Sequence, residues 1–516
     1  KFWLSLVAVA LMLLTAIRLL MEAKAGGSEA RESIGFYLLG DWAAPMAIVL
    51  VLDHLAAMML VLTGLLAMAS LVYARAAWHR QGPHYFSLFQ FLLMGLNGAF
   101  LTGDLFNLFV FFEVLLAASY GLLLHGSGQA RVRAGLHYIA INLAASLLFL
   151  LGVSLIYGLT GTLNMAHLAS MMAQVPPGDR PLLHMGFGLL GIAFLIKTGS
   201  WPLSFWLPNA YMAAAAPVGA MFAIMTKVGI YAILRLSMLM FSDAAGPSAA
   251  FGAQVLVILG MATMVFGMLG ILASQSLGRI AAHSVVVSSG TVLAVIGFAQ
   301  AGGSEWMLAG ALYYMVASTL ATAALFLLVE PMSRDDGGIA AMLALTAEVY
   351  GAKDRDTEGS EVPDGPAIPS ALALLSTCFA LCVLGLAGLP PLPGFVGKLT
   401  MIQGALSGTS FPPVLTWGFM ALLLVSGFAT VIGLARIGIQ TFWASEDNNA
   451  PVMALEIAPV LALIAVLSVM SVKSEVVLRY TSATAQALHD PSRYAYGVFA
   501  APRVVDAASD TPEEQP

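Results

Sequence analysis

The chain has 516 residues, 59% of them hydrophobic and 10% charged, with a formal net charge of −6. A soluble domain carries about 25% charged residues, so this composition excludes an ordinary water-soluble enzyme and points to an all-α polytopic membrane protein. No basic arm is present that would hold nucleic acid.

Apolar stretches of about 17–25 residues are long enough to span a bilayer. Thirteen are read along the chain, at 2–21, 53–74, 86–102, 104–124, 134–158, 181–209, 213–240, 250–273, 279–300, 305–330, 369–407, 412–441 and 454–472. The chain opens on Lys1 rather than Met, and residues ahead of it are expected to be missing. Residues 22–52 start polar and continue with aromatic and β-branched residues, which predicts an external loop holding a short hairpin. Arg75 and Arg80, Arg131 and Arg133, Arg279, and Arg436 fall in loops or helix ends of one parity. The positive-inside bias therefore puts that set in the cytoplasm and the tail outside. Residues 334–367 form an acidic polar insert, and the stretch beyond 473 is expected to be largely disordered.

Against this apolar background a few ionisable groups stand out: Glu113, Lys197, Lys227, His283 and Lys398. A charge at mid-membrane costs about 2.5–3.5 kcal/mol on insertion scales and is normally retained for a partner or an ion path. Two of the segments, around Lys197-Thr-Gly-Ser-Trp-Pro and Leu389-Pro-Pro-Leu-Pro-Gly, are broken by proline. Proline removes a backbone donor, and freed carbonyls inside a membrane must find water or a cation. Structural accounts compete at each position. Glu113 could serve only a helix-docking salt bridge, a lysine could snorkel to an interface, and His283 could be a packed histidine. His137 and Arg436 are weaker candidates, as relay neighbours. Asp104 sits where a helix N-cap is expected, and Cys378 and Cys382, four apart in an apolar helix, read as packing residues.

Glu113 precedes Lys197 by 84 residues and His283 precedes Lys398 by 115, a difference of 31 that is close to the length of the insert. Without the insert the halves share one spacing. The expected organisation is N-terminal helices with an external hairpin loop (1–85), a first five-helix repeat (86–240), a second and inverted five-helix repeat (250–441), and a C-terminal helix with a disordered tail (442–516). Each repeat has one broken helix, as in many transporters. No Walker loop, dinucleotide fingerprint, CxxC pair or metal-spaced histidine cluster is found, so no cofactor and no metal are expected.

The segments GAFLTGDLFNLFVFFEVLLAASYGLLLHG, KTGSWPLSFWLPNAYMAAAAPVGA and AGLPPLPGFVGKL resemble the proton-translocating antiporter-like family. That family comprises the large membrane-arm subunits of complex I and the Mrp-type (Pha or Mnh) cation/proton antiporters, and the acidic helix resembles the D-type subunits of the latter. The resemblance implies fourteen helices in full length, one more than is read here. It implies a Glu113–Lys197 pair, with Lys227 passing protons to the middle and His283 linking to Lys398. Where the family usually continues Ile-Ser-Gln-Ile-Gly-Tyr after its histidine, this chain has Val-Val-Ser-Ser-Gly-Thr (286–291), which changes the neighbours of His283. The implied function is proton translocation within a multisubunit Na⁺ or other monovalent cation/H⁺ antiporter, a multi-pass assembly of a bacterial plasma membrane, with other subunits as partners. The rival is a proton-pumping subunit of a complex I-like dehydrogenase or membrane hydrogenase.

Overall fold

In a computed structural model, the described residues are 1–25, 35–46, 48–333, 369–442 and 453–501. The expected insert 334–367 lies outside them. Two helices, α9 (Ala216–Met240) and α11 (Leu277–Gln300), form the axis of the bundle, and every residue of α9 is buried. A helix that is apolar all round and enclosed by others needs no polar face.

The remaining long helices surround this axis. They are α1 (Phe2–Ala25), α2 (His54–Ala74), α3 (Tyr85–Leu101), α4 (Leu105–Leu123), α5 (Gln129–Thr160), α7 (Arg180–Thr198), α10 (Ala253–Ala273), α12 (Glu305–Ser333), α13 (Pro369–Ala387), α14 (Pro393–Leu406), α15 (Pro413–Phe442) and α16 (Ala454–Val472), with short α6 (Met165–Met171) and α8 (Leu207–Ala213) between them. Among the described residues eleven helices are long and apolar enough to cross a membrane, and two shorter apolar ones lie at 85–101 and 373–387. Leu143, Leu147 and Leu151 on α5 and Phe428 and Ile432 on α15 point outward with more than half their surface exposed. That is the expected finish for a face in contact with lipid or a partner helix.

Helices pack in pairs in both halves of the chain. In the first, α3 packs along α4 and α5 along α7. In the second, α10 packs along α11 and α12 along α14. Close approach depends on glycine where α10 meets α11. A β-carbon on Gly260 would lie 2.4 Å from the Ala294 nitrogen, and one on Gly290 would lie 2.7 Å from the Gly260 carbonyl oxygen. Such small-residue contacts hold membrane helices together where water expulsion cannot. Gly260→Leu is therefore expected to cost about 1–3 kcal/mol of overpacking. It should appear as a lower thermal midpoint in mild detergent, and an unchanged midpoint would refute the account.

At one end lie the hairpin strands β1 (Gly35–Leu38) and β2 (Val49–Leu52), paired antiparallel. Gly103 N donates to Val49 O, and Leu105 N to Leu163 O, so the hairpin, the α3–α4 turn and the start of α6 form one cap. The tail corrects an expectation. Instead of disorder, residues 474–499 form α17 (Ser474–His489) and α18 (Pro491–Phe499). Thr481, Thr484, Ala485 and Leu488 line the buried face of α17 at helical spacing. Tyr480 donates to the His54 carbonyl at 2.8 Å, and the Phe499 ring meets His167. The low mean apolarity of the tail hid this period. At the opposite, basic end, Arg131 stacks on Trp78 and donates to Ala213 O.

Candidate functional site

Two of the buried ionisable groups, Lys197 and Lys398, lie beside the helix breaks. Helix α7 ends at Thr198, Gly199 takes a left-handed conformation, and the chain resumes as α8 at Leu207. Lys197 occupies the last turn of α7 and is 6% exposed. The C-terminal end of a helix carries partial negative charge, which favours an ammonium there. In the second half Lys398 lies on α14 and reaches back to the end of α13. It donates to the Ala387 carbonyl at 2.9 Å, and also to Leu423 O at 3.3 Å and the Ser426 hydroxyl at 3.5 Å. Both lysines therefore sit at the carbonyl end of an interrupted helix. A carbonyl freed at the second break does find a cation, Lys398. At the first, Ile196 O is taken by Trp206 Nε1 and Leu195 O by Ser200 N.

Glu113 projects from the middle of α4 and is half-buried. It forms no direct ion pair with Lys197 among the described residues. Ser146 of α5 stands between them, donating to Glu113 Oε1 and receiving Lys197 Nζ at 3.4 Å. The Phe112 ring centre lies 5.1 Å from the same ammonium.

Lys227 sits on α9, 1% exposed, and donates to Ser288 at 3.0 Å and Ser289 at 3.2 Å on α11. Ser288 in turn is 2.7 Å from the Ser318 hydroxyl of α12. Lys227 thus carries the first half's polar groups into the second. These serines belong to the segment that departs from the family pattern, and here they are the partners of Lys227.

His283 lies on α11 between this serine pair and the basic end. Its ring packs where Gly270 of α10 leaves room, since a β-carbon there would fall 2.1 Å from Nδ1. The Phe266 ring flanks it, and Nδ1 has no hydrogen-bond partner among the described residues. Within the same residues, no hydrogen bond joins His283 to the Lys398 cluster.

The weaker candidates separate. His137 is exposed, with Nδ1 at 2.9 Å from Arg133 O, and it lines an 810 Å³ cleft at the basic end with Arg133, Phe205, Trp206 and Asn209. Arg436 donates to Leu272 O at 3.0 Å and to Ser274 O, closing the end of α10. Asp104 caps α4 through Asn107 N at 2.9 Å.

A buried ion pair and a half-buried carboxylate escaped the sequence reading. Arg235, two turns beyond Lys227 on α9, forms a double contact with Asp53 at 2.6 and 2.8 Å. Tyr494 of α18 lies over its guanidinium, and burial pushes that phenol well above its ordinary range, so it stays protonated. The signal was present, because Arg235 interrupts an apolar run just as Lys227 does. Glu330, near the end of α12, accepts from Ala216 N at 2.8 Å and Trp78 Nε1 at 2.9 Å, tying the α8–α9 joint to the basic-end loops.

Residues 102–351 match the family model described as NADH:quinone oxidoreductase/Mrp antiporter, TM. The chain is 53% identical, over 94% of its length and 90% of the relative, to the D-type subunit of a probable K(+)/H(+) antiporter of Rhizobium meliloti. It is 32% identical, over 95% of its length and 92% of the relative, to the D-type subunit of the Na(+)/H(+) antiporter of Alkalihalophilus pseudofirmus. Among solved structures it is similar to a chain of the Mrp complex from Dietzia sp. DQ12-45-1b, with a TM-score of 0.78 and 27% identity, covering 96% of this chain and 94% of that one.

Proposed function

The chain belongs to the NADH:quinone oxidoreductase/Mrp antiporter family, on the branch of the D-type antiporter subunits, and from that premise we propose how it moves protons. It acts as a proton-translocating subunit of a multisubunit monovalent cation/H⁺ antiporter in a bacterial plasma membrane. The relatives named for K⁺/H⁺ and Na⁺/H⁺ exchange suggest either ion as the counter-cation. Protons pass along Lys197, Lys227, His283 and Lys398 through intervening waters, and Glu113 sets the charge state of Lys197. The basic end faces the cytoplasm.

One observation supports this reading above the rest: Lys227 is wholly enclosed, yet its hydrogen bonds among the described residues cross to hydroxyls of the opposite half. An ammonium needed merely for docking would be matched by a carboxylate, because an unmatched buried charge is costly. A base that gains and loses a proton is served by hydroxyls, which donate and accept. The two relatives that match over 90% and 92% of their own length are antiporter subunits, so the dehydrogenase-linked rival comes second.

The test is cation-driven pH change in everted vesicles carrying the whole complex. Glu113→Ala is expected to lower the rate by about 10²-fold or more, the loss typical of removing a positioned acid or base, at normal abundance of the complex. A wild-type rate would end this reading.

A further inference from the structure

The contact between Glu113 and Lys197 has an intermediate that the family resemblance does not supply. Ser146 is 4% exposed, and its hydroxyl touches three groups. It lies on Glu113 Oε1, at 3.4 Å from Lys197 Nζ, and at 3.1 Å from the Asn142 carbonyl one turn earlier on α5. A serine hydroxyl has one proton to give and two lone pairs to accept with. It can therefore serve Glu113 or Asn142 as donor, but not both at once, while it accepts from Lys197.

The surroundings leave little else for Lys197 to use. Ser146 is its one side-chain hydrogen-bond partner among the described residues. Phe112 lies against the ammonium, Phe194 packs on Phe112 at 5.7 Å, and Phe149 on Phe194 at 5.2 Å. These rings wall the site with apolar surface.

We propose that Ser146 is the relay residue through which Lys197 and Glu113 exchange a proton; this rests on the reading of Glu113 and Lys197 as proton carriers. In the step, an N–H bond of the Lys197 ammonium breaks as an O–H bond forms on Ser146. The original Ser146 O–H breaks as its proton passes to the Glu113 carboxylate. One proton leaves lysine and one arrives on glutamate, giving a neutral amine and a neutral acid, with serine unchanged in composition. The new serine proton lies on the lysine side. Before the next cycle the hydroxyl turns away, with the Asn142 carbonyl as its waiting acceptor. A serine that only closes back on its own helix, a common habit of the residue, would need the Asn142 contact alone.

Three variants in the whole complex test this, read as cation-driven pH change in everted vesicles with the abundance of the chain measured alongside. Ser146→Ala should slow transport by about tenfold to a hundredfold, while Ser146→Thr, which keeps the hydroxyl, should retain most of the rate. Ser146→Val has nearly the shape of threonine without the hydroxyl and should be as slow as alanine. If alanine prevents assembly, the threonine and valine pair decides, and equal rates at equal abundance overturn the proposal. Ser146→Ala at wild-type rate beside an inactive Glu113→Ala would overturn the serine step and leave the wider reading standing. Wild-type rates in both would remove the reading itself.

Discussion

Lys227→Ala is expected to reduce cation-driven proton movement by about 100-fold or more, with the complex still assembled. The expectation follows from position. Lys227 is the buried base whose contacts cross from α9 to α11, and hydroxyls such as Ser288 and Ser289 pass a proton on but do not store one. Removing a positioned acid or base costs about 10²–10⁴-fold. Lys227→Arg separates relay from charge. Arginine keeps the positive charge and the donors, but its guanidinium stays protonated in proteins. The arginine variant should therefore assemble like wild type and still fail in everted vesicles. A fully active arginine variant would mean that a fixed charge is sufficient and that no proton leaves position 227.

The second large effect concerns stability. Asp53→Ala leaves the Arg235 guanidinium, 6% exposed, without its carboxylate. Breaking a buried pair from one side typically costs about 3–5 kcal/mol, whereas replacing both partners with apolar residues is often neutral. Asp53 also accepts from Ala56 N at 2.9 Å, so its loss uncaps α2 as well. The single variant should melt several degrees below wild type in detergent. Asp53→Leu combined with Arg235→Met should recover much of that loss. Because Tyr494 lies over Arg235, the single variant should also release the tail helices, seen as faster tryptic cleavage at Lys473. A melting point and cleavage rate equal to wild type would show that the pair contributes nothing to the fold.

Much of the architecture was legible because a bilayer imposes a one-dimensional rule. A spanning helix needs a certain length of apolar residues, and that length is counted along the chain. The same rule made Glu113, Lys197, Lys227, His283 and Lys398 visible, since a charge inside such a run is rare. It should have exposed Arg235 and Glu330 too. The first was overlooked within two turns of a more conspicuous lysine, and the second close to a helix end where charges are ordinary. The polar tail failed for a different reason. The spacing that gives α17 its buried face is present, but the polar composition of the segment masks it.

What the sequence determined by itself was therefore the class of molecule, the apolar segments of membrane length, the two proline breaks and five of the ionisable groups set among them. Only the tertiary structure decided who meets whom: Ser146 between Glu113 and Lys197, Ser288 and Ser289 beneath Lys227, Ala387 O beneath Lys398, Asp53 against Arg235. Length and hydropathy are local properties of a segment. Partnership depends on how each helix is rotated and how deeply it is set against its neighbours, which arises from packing between residues far apart in the chain. Serines and carbonyls carry no charge to mark them, so they become functional neighbours only when that packing is complete.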